Sequence, residues 1–385
     1  MNNKKDVKDL NISSVLQCIN KRGSISKGMI AKELGITSVT SHKLVSELCM
    51  SGYACESGEY VSYGGKRAAL YRVNRNLGLM IGISLMRNRV CICVTDFCFN
   101  KKEYYEHSTE LKNAEQTVES IIGELRRITQ KYKNEKILGI GISIPGRACE
   151  AANRIYMPGY HEWDSVKLSD ILKNEFSIPV FIDNDANALS LYIKWRRMTE
   201  CNNFVCAQAI NGIGIGIITN GELFKGSDFR GSEIGHIILD PKGEPCSCGK
   251  RGCLQTFVDE EKVLMRLKKQ LGDDITLDKV LDLLNKDDEN VKSAFVEYFE
   301  YLKITVDNII TLFAPEEVYL YNEAANAMPD FEESLQLPCF RTERDVQRPK
   351  VKLLKDKMIR QNSATAIIYN EIMKKPTDFI NKRGN

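Results

Sequence analysis

The sequence is poor in the features that mark a special class of protein. Its 385 residues include two tryptophans, four histidines and ten prolines. No stretch approaches the ~18 apolar residues of a membrane-spanning helix. The most apolar run, Ile213 to Ile218, is short and punctuated by glycine, so no membrane partner is expected. The opening residues, Met1-Asn2-Asn3-Lys4-Lys5-Asp6, have neither an apolar core nor a cleavage site, and a secretory signal is not expected. No low-complexity segment divides the chain. A hydrophobic fraction of 43% and a charged fraction of 27% are those of a globular protein and exclude wholesale disorder. The length suits two or three domains of about 150 residues each. Thirteen cysteines are present, an odd number, most of them scattered singly through apolar stretches. That usage fits a reducing cytoplasm and not a disulfide scaffold, so a cytoplasmic location is expected.

The net charge of +3 conceals an asymmetry. Residues 1–74 carry 11 Lys and Arg against 6 Asp and Glu, whereas the other 311 residues carry 43 against 45. A small basic module on a nearly neutral body implies an anionic partner for the module alone. A chance bias of a solvated surface would give the same count, so the assignment rests on the pattern within the module.

That pattern is a helix-turn-helix. Ile12, Val15, Leu16 and Ile19 recur at helical spacing. Ser26 is placed to cap a second helix through Met29-Ile30-Ala31-Lys32-Glu33-Leu34, and Gly35 to end it. Thr37 or Ser38 can cap a third helix that buries Leu44, Val45 and Leu48 and stops near Gly52. The outward positions of this third helix are read as Ser38, Ser41, His42 and Lys43, small or hydrogen-bonding side chains able to enter a major groove. Two short strands follow, Tyr53 to Glu56 and Leu70 to Val73, separated by Tyr63-Gly64-Gly65-Lys66-Arg67. The loop forms a basic wing whose Lys66 and Arg67 can contact phosphate. A helical hairpin used for dimerisation is the competing reading. Helix order, turn, wing and charge together favour binding to double-stranded DNA.

From Leu79 onward the pattern changes to strands and Gly turns. Leu79 to Ser84, Arg89 to Thr95 and Lys102 to His107 predict three strands, followed by a helix at about 112–132 and a strand from Ile137 to Ile144. Phe204 to Ile210, Gly214 to Thr219 and a turn at Gly221 begin the same order again, with helices after Asp259. The repetition predicts two similar α/β lobes with a cleft between them. The expected organisation is a DNA-binding domain at 1–76, a first lobe at 77–195 and a second at 196–357. A C-terminal helix at about 358–385 would pack back on the first lobe.

One cluster carries specific chemistry. His236 precedes Cys246-Ser247-Cys248-Gly249-Lys250-Arg251-Gly252-Cys253. Three thiolates and one imidazole complete a tetrahedral zinc shell with no open position, so His236, Cys246, Cys248 and Cys253 are expected to hold a structural Zn2+.

These residues resemble the ROK group of repressors, open reading frames and sugar kinases, and within it the winged-helix, sugar-responsive repressors. Glu233-Ile234-Gly235-His236 and the Cys-x-Cys-Gly-x-x-Gly-Cys cluster match the group's sugar-and-zinc motif. Phe181 to Ala188 matches the stretch carrying its sugar-binding Asn and catalytic Asp, and Gly139 to Gly146 the strand that delivers a Pro-Gly turn to the sugar. The resemblance implies an α/β fold: an N-terminal winged helix-turn-helix followed by a two-lobed, actin-like domain. It implies a sugar or sugar phosphate held by Gly146, Asn184, Asp185, Glu233, His236 and Gln255, the last replacing the group's usual Glu. Taken singly, Asn184 and Asp185 also fit an Asx turn, and Glu233 a cap.

The nucleotide side departs from the kinase members of the group. Their Asp-x-Gly-Gly-Thr motif falls on Ser84-Leu85-Met86-Arg87-Asn88, and a Gly-Gly pair falls on Tyr321-Asn322. Side chains at such glycines block the approach of backbone to phosphate. The second motif keeps Gly212, Gly214 and Gly216 but has Ile213 where the kinases commonly place Thr. The expectation is therefore a non-enzymatic, sugar-responsive regulator, usually a repressor in this group. It would bind a palindromic operator as a homodimer or higher oligomer. An active ATP-dependent sugar kinase with an appended DNA-binding module is the alternative, and a DNA-binding protein indifferent to sugar is a third.

Overall fold

The structure is a computed structural model that describes residues 4–60, 67–109, 111–149, 154–196, 198–210, 212–227, 231–337 and 348–380. It begins with α1 (Lys4–Arg22), β1 (Ile25–Ser26), α2 (Lys27–Leu34), α3 (Ser38–Met50), β2 (Ala54–Tyr60) and β3 (Ala68–Val73). Ile12, Val15, Leu16 and Ile19 of α1 are buried against Leu44, Val45 and Leu48 of α3. Ser26 caps α2 by accepting from Met29 N at 3.3 Å, and Thr37 caps α3 by accepting from Thr40 N at 3.1 Å. These caps satisfy amides that helix geometry leaves without a partner. The sheet runs β1-β3-β2. At two residues, β1 is too short to leave a periodic signal in sequence. Lys66 lies outside the described residues, and Arg67 is exposed just before β3.

The first lobe contains β4 (Leu79–Met86), β5 (Arg89–Asp96), β6 (Lys101–Ser108), α4 (Ala114–Lys131), β7 (Ile137–Ile144), β8 (Arg147–Cys149), β9 (Arg154–Tyr156), α5 (Leu168–Phe176), β10 (Val180–Asn184) and α6 (Asp185–Trp195). The second contains β11 (Phe204–Ala209), β12 (Ile213–Thr219), β13 (Glu222–Phe224), α7 (Glu260–Leu271), α8 (Leu277–Asn285), α9 (Glu289–Phe313), β14 (Glu317–Tyr321), α10 (Glu323–Ala327), α11 (Phe331–Ser334) and β15 (Lys350–Leu353). The chain ends with α12 (Ile359–Lys374) and α13 (Pro376–Ile380).

The two large sheets repeat one topology. Their orders are β6-β5-β4-β7-β10 and β13-β12-β11-β14-β15, each an antiparallel three-strand meander extended by two parallel strands. Parallel strands need covering on both faces, which explains the unbroken burial of β4 and β7 after Ile137. One cover is α12. It lies so close to β7 that a Cβ on Gly141 would stand 2.1 Å from the Ala364 carbonyl oxygen, so only glycine fits there. The other end of α12 joins the N-terminal module. Ser13 donates to the Met373 carbonyl at 2.7 Å, Tyr369 to Asn20 Oδ1 at 2.9 Å, and Tyr53 to the Pro376 carbonyl at 3.1 Å. Tyr53, Phe97 and Tyr369 pack through this junction, edge-on for Tyr53 and Phe97 at a centroid distance of 6.4 Å and tilted for Phe97 and Tyr369 at 4.6 Å. The winged helix thus shares a hydrophobic core with the first lobe. Among the described residues, no helix is long and apolar enough to cross a membrane.

Candidate functional site

Helix α3 presents Ser38, Val39, His42 and Lys43 to solvent. Ser41 is not among them. It is fully buried, and its Oγ donates to the Lys27 carbonyl at 2.7 Å, tying α3 to α2. The expectation that Ser41 faces outward is corrected by the phase of the helix, in which 41, 44, 45 and 48 share the inward stripe. Val39, 79% exposed, takes a place on the outer face that the sequence reading did not assign.

The four expected metal ligands converge. The donor atoms of His236, Cys246, Cys248 and Cys253 all lie within 4.8 Å of one another. His236 Nδ1 faces Cys246 Sγ at 3.6 Å, and the Cys248 and Cys253 sulfurs are 3.7 Å apart. A tight hairpin builds the cluster: Cys246 N donates to the Lys250 carbonyl, and Gly252 N to the Glu244 carbonyl. Gly252 has φ +63°, and a Cβ there would sit 1.5 Å from the Asp240 carbonyl oxygen, so the turn requires glycine. Burial, and then the neighbouring sulfurs of Cys248 and Cys246, push the Cys253 thiol up to about 12. A divalent cation is what lets such thiols ionise together. The donor set and its spacing therefore fit a metal ion.

The cleft between the lobes collects the expected sugar-side residues. Asn184 is the N-cap of α6: Oδ1 accepts from Ala186 N at 2.9 Å and Asn187 N at 3.2 Å, while Nδ2 donates to the Gly146 carbonyl at 2.8 Å. The capping role and a ligand role coexist, since one amide hydrogen is left over. Asp185 Oδ1 accepts from Ala186 N at 2.9 Å, and Oδ2 accepts from Gln208 Nε2 at 2.7 Å. Burial raises the pKa of Asp185, opposed by the Arg360 guanidinium 3.9 Å away. Across the cleft, Glu233 places one oxygen 3.8 Å from His236 Nε2 and the other 3.6 Å from Arg147 Nε. His236 therefore turns Nδ1 to the thiols and Nε2 to the cleft. Gln255 packs against Gly212 and Gly235, within 3.5 Å of where their Cβ atoms would be.

Several residues of this cleft were not assigned from sequence. Lys225 Nζ crosses from the second lobe to Asp183 Oδ2 at 2.7 Å, and Asp183 also accepts from Asn184 N and Asn187 Nδ2. Arg360, at the first turn of α12, donates to Gln208 Oε1 at 3.2 Å. Only Arg147 carried a local signal, standing directly after Pro145-Gly146.

At the positions where the resemblance places the kinase motifs, Ser84 is buried and donates to the Arg360 carbonyl at 3.3 Å. Arg87 forms an ion pair with Glu261 of the second lobe. Tyr321 and Asn322 are buried, and Asn322 donates to Glu260 and to the Ala209 carbonyl.

Fold and site together define a two-lobed α/β body of sugar-kinase type with an N-terminal winged helix. The ROK family model matches residues 80–357, and the chain belongs to the ROK family. It is similar to the xylose repressor of Caldicellulosiruptor bescii, 29% identical over 345 residues that cover 84% of this chain and 86% of that protein. It is 28% identical over 367 residues to the N-acetylglucosamine repressor of Escherichia coli O157:H7, covering 90% of each. A crystal structure of a ROK family transcriptional regulator, a homolog of the E. coli MLC protein, matches with TM-score 0.77 and 20% identity over 97% of this chain and 99% of that one. The ROK family glucokinase from Streptomyces griseus, in complex with glucose and AMPPNP, matches with TM-score 0.64 and 19% identity over 75% of this chain and 98% of that one. The kinase likeness leaves a quarter of the chain uncovered, whereas the regulator likeness spans nearly all of it.

Proposed function

We propose that the protein is a sugar-responsive DNA-binding regulator that represses carbohydrate-utilisation genes. What supports this reading is a winged helix seated on a sugar-kinase-like body in which Met86, Tyr321 and Asn322 fill, with buried side chains, positions that the resemblance assigns to nucleotide-side glycines. The relatives named for xylose and N-acetylglucosamine repression support it. Residues 1–76 act as the DNA-binding domain, 77–195 with the C-terminal helices as the first lobe, and 196–357 as the second. Ser38, His42 and Lys43 read the major groove, and Lys66 and Arg67 of the wing hold phosphate. Two copies of the chain bind the half-sites of a palindromic operator in the cytoplasm.

In the cleft, Asp185 and Glu233 accept hydrogen bonds from sugar hydroxyls, and Asn184 and His236 Nε2 donate to them. Gln255 and the Gly146 turn shape the remaining wall. A sugar seated there lies between Arg147 and Glu233, and so alters a contact that now ties the two lobes. A ligand shifts such an equilibrium by its difference in affinity for the two arrangements. Bound by His236, Cys246, Cys248 and Cys253, a zinc ion supplies a structural crosslink. His236, so held, would keep its imidazole beside Glu233, which joins the metal cluster to the sugar wall.

The second reading, an active sugar kinase, is opposed by the same three filled positions. Phosphoryl transfer depends on positioning ATP and neutralising its charge. A coupled ATPase assay and an operator titration, each with D-xylose, D-glucose and N-acetylglucosamine, separate the two. Sugar-dependent turnover on the order of 1 s⁻¹ would overturn the regulator reading, and DNA affinity indifferent to every sugar that binds would end the case for sugar control.

A further inference from the structure

Two helices run side by side from the cleft to the winged helix. The first, α6, opens at Asp185 in the cleft and ends at Trp195. The second, α12, opens beside Arg360 in the cleft, and its last turn holds Met373 and Lys374. They are parallel and in register. Arg360 Nη2 stands 3.9 Å from Asp185 Oδ2 at one end, and Trp195 Nε1 donates to Asn370 Oδ1 at 3.2 Å near the other. At 1.5 Å per residue, Arg360 and Lys374 are roughly 21 Å apart along the helix. The far end is where Ser13, Asn20 and Tyr53 of the DNA-facing module dock.

Both ends of this pair are held by the second lobe. In the cleft, Gln208 of β11 receives Arg360 and donates to Asp185. At the far end, Glu222 of β13 divides its carboxylate between two cations. Oε2 lies 2.8 Å from Lys374 Nζ on α12, and Oε1 lies 3.8 Å from Lys194 Nζ on α6. The Lys194 side chain is only 15% exposed and lies over the Trp195 ring at 4.1 Å.

We propose that Glu222 is the residue that couples the state of the cleft to the winged helix, by tying the second lobe to the DNA-facing end of the α6–α12 pair. The inference rests on the sugar-responsive reading above. If the second lobe rotates about the cleft, Glu222 leaves, and two lysine ammoniums then face each other across the helix pair. One of them is largely removed from water, where like-charge repulsion is least screened. The last turn of α12, whose Met373 carbonyl anchors Ser13, is the element that must yield. With Glu222 in place the turn is held, and the winged helix keeps the orientation seen here. Glu222 touches neither the sugar-side residues nor α3, so its effect is on coupling and not on either binding site.

The test uses the full-length chain and a DNA duplex selected from a random library by the wild-type protein. D-Xylose and N-acetylglucosamine serve as sugar probes. DNA affinity is measured with and without saturating sugar for wild type, Glu222→Gln, Lys374→Gln and the double variant. In wild type the sugar is expected to change the DNA Kd roughly 5- to 150-fold, the usual range of allosteric coupling. In Glu222→Gln that change should shrink by about threefold or more. Lys374→Gln should act in the same direction, and the double variant should add little to Glu222→Gln, as expected for two members of one contact. Sugar affinity without DNA should stay within about twofold of wild type, since Glu222 and Lys374 touch no sugar-side residue, whereas DNA affinity without sugar should move toward the sugar-saturated wild-type value in Glu222→Gln, which leaves the Lys194–Lys374 repulsion uncompensated. A Glu222→Gln protein that keeps the full wild-type response overturns the proposal and leaves the function standing. A wild-type protein whose DNA affinity ignores both sugars, although one of them binds, overturns the sugar-responsive reading and the proposal with it.

Discussion

Asn322 donates from Nδ2 to Glu260 Oε1 at 2.7 Å, in the interior of the second lobe. Tyr298 donates to the same oxygen at 3.1 Å. An asparagine, a tyrosine and a carboxylate therefore fill space at the end of β14 with a bonded polar cluster. A cluster of this kind is costly to open, because each partner is desolvated.

The cluster gives a pH dependence. Burial raises the Glu260 carboxyl from 4.5 to about 7, partly opposed by hydrogen bonds from Asn322 and Tyr298. The unfolded chain ionises first as pH rises, so the contribution of this group to stability is fully present below pH 4.5 and is lost by the time Glu260 itself ionises near pH 7. The span corresponds to about 3 kcal/mol at ~1.4 kcal/mol per pKa unit. Glu260→Gln should therefore be more stable than wild type at pH 8, with the difference closing as pH falls to 5. Paired thermal melts across that range check it, and a difference independent of pH would refute it.

The metal cluster predicts composition as well as stability. Purified protein should carry about one zinc per chain. Cys248→Ser should lower metal content, apparent Tm and sugar affinity together, since His236 serves both walls. Gly252→Ala should act like loss of the metal without removing a ligand, because its Cβ cannot stand 1.5 Å from the Asp240 carbonyl oxygen. Elemental analysis and melts of the three proteins decide the matter.

At the DNA-facing surface, charge and shape should separate. Lys66→Ala with Arg67→Ala should weaken binding to all duplexes and flatten the salt slope by roughly one per lost phosphate contact. His42→Ala should instead change preference among duplex variants. Ser41→Ala should lower stability by about 1–3 kcal/mol, leaving the Lys27 carbonyl without its partner, with no change in sequence preference. A shifted preference in Ser41→Ala would contradict the buried position of that hydroxyl.

Asp185 should be needed for the sugar and not for the operator. Asp185→Ala is expected to weaken sugar binding at least tenfold, in line with loss of hydrogen bonds to a charged group, while DNA affinity without sugar persists. Calorimetry with the sugar and an operator titration measure the two quantities separately.

The local features were legible in the sequence because their causes are local. Ser26 and Thr37 cap helices through amides three residues on, and the strands of the two lobes follow alternation and apolar runs within single segments. The spacing of Cys246, Cys248 and Cys253 within eight residues already confines three thiols to one hairpin. The phase of α3 was nearly legible: Leu44, Val45 and Leu48 fixed the inward stripe, and Ser41 lies on it although its hydroxyl suggests otherwise. What the sequence could not decide is every contact made between distant segments. Arg360 meets Gln208 across 152 positions, and Arg87 meets Glu261 across 174. A lone arginine or glutamate carries no periodicity that names its partner; only the closure of the two lobes, with α12 pressed onto Gly141, brings Arg360 to Asp185 and Glu222 to Lys374. Pattern along the chain set the elements and the metal hairpin. The packing of two sheets against one shared pair of helices decided which charges face each other in the cleft and which face each other behind it.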